Sequence, residues 1–135
     1  MTLIQKCALG YFVVLLGAAA LNYVPGLTDA NGLAFGIFAL DLFDDALHLV
    51  SAIWALAAAF YGARASKVFL VIFGALYLGD GVFGLFTGYG YLDFGVFTNP
   101  SEGMSFTVFR MLANLPHIAL GGFALFAGLR FGRGV

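Results

Sequence analysis

The stretch Asp44–Gly62, DDALHLVSAIWALAAAFYG, decides the fold. Behind its paired acids, the chain runs apolar and uncharged from Ala46 to Ala63. A helix of that length reaches most of the way across a hydrocarbon layer about 30 Å thick. Composition points the same way. Of 135 residues, 62% are hydrophobic and only 10% are charged, with a mean hydropathy of +1.00. Soluble chains sit near about half apolar and about a quarter charged. A domain of this size has too little interior to hide so much apolar surface. The chain therefore reads as an integral membrane protein, with the lipid bilayer as its solvent.

Three further runs repeat the pattern, at about Cys7–Val24, Val68–Gly88 and Val108–Leu129. Backbone groups in lipid must be satisfied within the segment, which selects helices. The runs are unbroken and do not alternate strictly, which argues against a barrel. The expected fold is all-α: four transmembrane helices in an up-down bundle, one domain over residues 1–135. The short polar stretch GARASK joins the second and third spans. Loops of about Pro25–Asp45 and Tyr89–Thr107 make the other two connections. The apolar GLAFGIFAL of the first loop is too short to span, and is expected at the interface or folded over the bundle. Ala18–Ala20 offer small residues of the kind found at signal-peptide cleavage sites, but the first run has a counterpart later in the chain and is read as a retained span. Cys7 is the single cysteine and reads as a packing residue.

Charge sets the expected orientation. Lys6, Arg64, Lys67, Arg130 and Arg133 lie at the two termini and the middle turn. Asp29, Asp41, Asp44, Asp45, Asp93 and Glu102 lie in or beside the two long loops. The positive-inside rule then puts both termini and the middle turn in the cytoplasm, with the chain in the cell's inner membrane. A cysteine at Ser101 is expected to react with an impermeant reagent outside the cell, and one at Ser66 is not. With a net charge of −1, no basic surface suggests nucleic-acid binding.

FGIF (Phe35–Phe38) precedes His48, and FGVF (Phe94–Phe97) precedes His117. The second interval is longer by about the ten residues of TNPSEGMSFT. LLGAAAL in the first span loosely matches YLGDGVF in the third. Two hairpins related by a pseudo-two-fold axis along the membrane normal are the expected arrangement. Pro25-Gly26-Leu27-Thr28, Gly36-Ile37-Phe38, Asp45 with His48, and Asn114 with His117 carry a resemblance to a family. The chain resembles the bacterial four-span membrane proteins of the domain-of-unknown-function family forty-three eighty-three, over most of its length. Asp44 and Asp45 stand where that family usually has asparagine or histidine, and the third loop is longer here. The resemblance implies the four-span fold and no reaction.

The only two histidines, His48 and His117, open the second and fourth spans. Asp44 and Asp45 precede His48 by four and three positions, and Asn114 precedes His117 by three, on the same helical faces. In a sequentially wound bundle these two helices are diagonal and face each other across the core. Asp80 lies within the third span and Arg110 in the first turn of the fourth. Ionisable groups inside a span are functional candidates by default.

Several readings of this cluster stand side by side. In the structural one, Asp80 pairs with Arg110 and each histidine bonds its own i−3 neighbour or a carbonyl across the bundle. In a second, a transition metal is held by His48 and His117 with Asp80, Asp44 or Asp45. In a third, haem b is held by His48 and His117, with Arg110 at a propionate and with Gly79, Gly81, Gly84, Gly121 and Gly122 making room for the ring. Proton or ion translocation through Asp80 is a fourth. Tight helix packing is the commoner use of such glycines. Tyr89 and Tyr91 read as interface anchors, and Pro116 either kinks the fourth helix toward the core or marks its regular start. No nucleophile–base pair or phosphate-binding loop is visible. The expectation is a non-enzymatic accessory or scaffold subunit that packs against other membrane proteins or itself. A haem- or metal-binding protein is the alternative.

Overall fold

A single glycine separates the second and third spans. The computed structural model describes residues 1–39, 42–92 and 107–135, together with Phe97. Within them run four helices: α1 (Leu3–Ala20), α2 (Leu42–Tyr61), α3 (Ala63–Thr87) and α4 (Val108–Phe131). All four are long and apolar enough to cross a membrane, and they pack as an all-α bundle. Between α2 and α3 only Gly62 is non-helical, at φ 146° and ψ 177°, a conformation that L side chains rarely adopt. The expected GARASK turn therefore shrinks to one residue, and Arg64 and Lys67 belong to the first two turns of α3. The fully buried Ser66 hydroxyl secures the corner, with the carbonyls of Ala58 and Gly62 each at 3.0 Å. A cysteine at Ser66 would be shielded on either side of a membrane, so that position cannot report sidedness. Ser101, Asp41, Asp93, Glu102 and most of the second FGVF copy lie outside the described residues.

The third helix is central. Its buried positions, Ser66, Phe69, Leu70, Phe73, Gly74, Tyr77, Asp80, Gly81 and Gly84, recur at three- and four-residue steps, which is one face of a helix. Phe69, Phe73 and Tyr77 form an aromatic ladder along that face. Their successive ring centroids are 5.1 Å and 4.0 Å apart. Tyr11 of α1 meets Phe73 edge-on at 5.3 Å and donates its hydroxyl to the carbonyl of Leu120 in α4, at 2.5 Å. The first helix also opens with a capping box between Thr2 and Gln5, and the Gln5 amide reaches the Ala59 carbonyl near the end of α2.

The most extensive packing joins α3 to α4, and glycine makes it possible. A Cβ built on Gly74 would sit 2.8 Å from the Gly121 carbonyl oxygen, and one on Gly121 would sit 2.8 Å from the Gly74 oxygen. Gly81 and Gly128 are filled in the same way, by Ile118 and by Leu70 with Val71. The first two helices pair next most closely, so each sequence half forms its own hairpin. Pro116 lies inside α4 without ending it. The first long loop holds a small antiparallel pair, Leu33–Ala34 with Phe38–Ala39, where no strand was expected. Asp29 organises it by accepting from the amides of Asn31 and Leu33, at 2.8 Å and 2.9 Å.

Two adjacent glycines separate packing from mere composition. Gly121 is enclosed by α3 backbone, whereas Gly122 has nothing within 4 Å of its Cβ position. Gly121→Ala is expected to destabilise the bundle by about 1–3 kcal/mol through overpacking. Gly122→Ala should be neutral or gain up to about 1 kcal/mol of helix propensity. Chemical unfolding in micelles, followed by circular dichroism, reads the difference; equal effects would mean that the seam is not close-packed.

Candidate functional site

The polar cluster forms at the loop end of the bundle, where the packing of α3 on α4 sets Asp80 against His117. His117 Nδ1 lies 2.5 Å from Asp80 Oδ2; with the carboxylate ionised, the imidazole N–H donates. The other oxygen, Oδ1, accepts from the backbone amides of Tyr91 and Leu92, at 2.8 Å and 2.9 Å. These two residues follow α3. Gly88 ends the helix in the left-handed conformation, at φ 87°, and the chain folds back along α3. The Tyr91 hydroxyl then donates to the Leu76 carbonyl, at 2.6 Å. Gly90 is required in this return, because a Cβ there would meet the Asp80 carboxyl carbon at 2.7 Å. Burial and the Asp80 charge raise the Tyr91 phenol above its ordinary range.

Asp80 is thus a three-way tie of α3, α4 and the returning loop. The expected pair with Arg110 does not form, because His117, Tyr91 and Leu92 take the carboxylate. The expected i−3 bond within α4 does not form either. Asn114 packs its side chain into the space over Gly84 and donates instead to the Arg110 carbonyl, at 2.9 Å. Tyr91 is thereby fastened to α3 at both its amide and its hydroxyl.

His48 comes to the same place from α2. It is buried, and its ring centroid lies 6.1 Å from that of His117, nearly perpendicular to it. Tyr77 stands beside both rings, at 5.0 Å from His117 and 6.5 Å from His48. The Tyr77 hydroxyl is 3.2 Å from the Ser51 hydroxyl. Among the described residues, His48 Nδ1 is buried without a hydrogen-bond partner, as is Asp45 Oδ1. Asp45 Oδ2 accepts from Tyr23, at 3.1 Å, and this bond with the carboxylate's charge holds the Tyr23 phenol above its ordinary range. Asp44 is buried in the first turn of α2.

Tyr77 and Ser51 were missed from the sequence, although Tyr77 precedes Asp80 by three and Ser51 follows His48 by three. Helical spacing from the known ionisable residues was the available signal. The backbone amides of Tyr91 and Leu92 had none beyond the alternating glycines of GYGY.

The glycines expected to admit a porphyrin do other work. Gly81 and Gly84 are filled by Ile118 and Asn114, Gly121 by the backbone of α3, and Gly79 by the Tyr91 hydroxyl. Of these five only Gly122 faces open space, so the glycines do not supply the room expected for a ring. Among the described residues, no group of three or more His, Cys, Asp or Glu side chains is set to hold a metal ion.

The fold and its apolar spans define a multi-pass α-helical membrane protein. Compared with protein-family models, curated proteins and solved structures, the chain matches none.

Because Asp80 serves both the loop amides and His117, its loss should cost more than the loss of His117. The expected order of destabilisation is Asp80→Ala, then His117→Ala, with Asp80→Asn milder than Asp80→Ala because its carbonyl keeps the two amides. A double-mutant cycle on Asp80→Ala and His117→Ala should return a coupling of about 0.6–2 kcal/mol, the range of interhelical polar contacts in membranes. Strictly additive losses would show that the pair contributes nothing.

Proposed function

We propose that the protein is a non-catalytic accessory or scaffold subunit that packs against other membrane proteins. One observation carries this reading: the bundle leaves its first and last helices largely uncovered. Only 22% of each of the α1 and α4 spans is buried inside the chain, against 44% of α3. Each open helix also keeps a glycine for which the monomer has no use. Gly17 and Gly122 have nothing within 4 Å of a Cβ. A helical glycine costs about 1 kcal/mol relative to alanine. In membranes, small residues on a helix face allow a second helix to approach closely. The buried polar groups support the same reading, since Asp80, His117, Tyr77 and Ser51 bond to one another or to backbone and hold the fold together.

We further propose that the chain sits in the inner membrane with the Gly62 corner and both termini cytoplasmic, on the strength of the basic residues gathered there. Asn31 and Arg64 are both exposed. In a Cys7→Ala background, Asn31→Cys should react with an impermeant thiol reagent in intact cells and Arg64→Cys should not. The reverse pattern would invert the topology.

A second reading, a transition-metal ion at His48 and His117, is favoured by the unpartnered His48 Nδ1. Elemental analysis and an absorption spectrum of the purified protein separate the two. Stoichiometric metal that is lost in His48→Ala would support the metal, and its absence the scaffold. For the scaffold itself, mild extraction should yield a complex heavier than the 14.3 kDa chain with its detergent. Gly17→Leu or Gly122→Leu should weaken that complex. A monomer in every mild detergent, with no partner crosslinked in membranes, would remove the proposal.

A further inference from the structure

The seam between α1 and α4 is open at the end opposite the histidines, and two cavities lie along it. One, of about 420 Å³, lies at the bundle's edge between the first turn of α1, at Thr2 and Ile4, and Phe131, Arg130 and Arg133 at the end of α4. The other, of about 380 Å³, lies further along the spans, between Gly10, Tyr11 and Val14 on one side and Leu120 and Phe123 on the other. The mouth is basic and the interior is apolar. From Ile4 to Val14 the seam runs ten residues, about 15 Å at the helical rise, which is the depth of one leaflet of a hydrocarbon core about 30 Å thick.

We propose that this seam binds one anionic phospholipid, with its phosphate at Arg130 and Arg133 and an acyl chain along Gly10. The charges at the mouth select the occupant. Neither arginine has an ion-pair partner among the described residues, and guanidinium matches the two oxygens of a phosphate. The first turn of α1 adds the positive end of a helix dipole. The two arginines outweigh the carbonyl end of α4 beside them. Lys67 is drawn aside by the Val135 carbonyl, at 3.4 Å. Basic pockets between spans are a recurring means of holding anionic headgroups.

Deeper in, the Tyr11–Leu120 hydrogen bond closes the floor of the seam. Gly10 leaves its wall open, with nothing within 4 Å of a Cβ. A helix of a partner protein would be an equal match for the apolar part alone, but not for two unpaired arginines at one leaflet's depth. The lipid seam occupies the Arg130 end of α1 and α4, and Gly17 continues the same face of α1 beyond Val14.

Native mass spectrometry of delipidated protein, titrated with phosphatidylglycerol and phosphatidylcholine of identical chains, tests the site. The wild type should retain one phosphatidylglycerol about tenfold better than phosphatidylcholine, two arginines near a headgroup being worth at least that. Arg130→Gln with Arg133→Gln should abolish the difference between headgroups. Gly10→Leu should weaken both lipids, while Ala57→Leu, equally bulky on an exposed position of α2 that lines neither cavity, leaves both unchanged. Circular dichroism confirms that each variant is folded, and should Gly10→Leu not fold, the arginine pair decides alone. Equal retention of the two lipids by the wild type, or no effect of the arginine pair, overturns the proposal. A Gly10→Cys variant that crosslinks to a protein rather than a lipid in membranes would assign the seam to a partner helix instead.

Discussion

Backbone touches backbone where Gly74 meets Gly121, and the rest of the structure depends on that approach. In lipid no hydrophobic effect drives two apolar helices together, so association rests on close packing and on polar contacts made possible by it. Without side chains at these two positions, α3 and α4 come near enough for Ile118 to cover Gly81 and Asn114 to cover Gly84. The same proximity lets His117 reach Asp80. A buried carboxylate would otherwise be among the costliest groups to place in a membrane span. Here it is supplied with an imidazole N–H and two backbone amides, and in return it fixes the segment after α3 against the bundle. Packing and polarity are one device: the glycines bring the helices together, and Asp80 holds the returning segment at Tyr91 and Leu92.

That device explains which helices are finished and which are not. The buried face of α3 is fully engaged, with its aromatic ladder against Tyr11 and Trp54 and its glycines against α4. By contrast, α1 and α4 present most of their surface outward. Their seam is bridged by Tyr11 but open along Gly10. A chain of this size that devotes its tightest contacts to one helix pair and leaves two helices exposed suits a role in which lipid or protein completes the packing.

Much of the fold was legible because hydropathy and charge act over whole segments. All four spans could be read from uninterrupted apolar runs, and the fourth most closely, expected over Val108–Leu129 and found over Val108–Phe131. Their ends were less legible. The second helix starts at Leu42 rather than Ala46 because acids are welcome in a first helical turn, so Asp44 and Asp45 belong to it. GARASK looked like a turn because it is polar, whereas the corner needs only one residue able to adopt a positive φ, Gly62. At the site, the meeting of His48, His117 and Asp80 at one end of the core was legible from depth along each span. Their pairing was not. Spacing suggests neighbours on the same helix, as for Asn114 and His117, but the bond that forms crosses to α3, and only three-dimensional packing decides that. The return of Tyr91 and Leu92 onto Asp80 depends on the left-handed Gly88 and on the bare Gly90, neither of which announces its partner in sequence.

The contact between Asp80 and His117 is the point at which these features converge, and nitrogen NMR of histidine-labelled protein in lipid nanodiscs observes it directly. His117 should show a protonated Nδ1 and a bare Nε2, and Asp80→Asn should shift its resonances far more than those of His48. A His117 spectrum unmoved by Asp80→Asn, or one with the proton on Nε2 alone, would contradict the tie between α3 and α4.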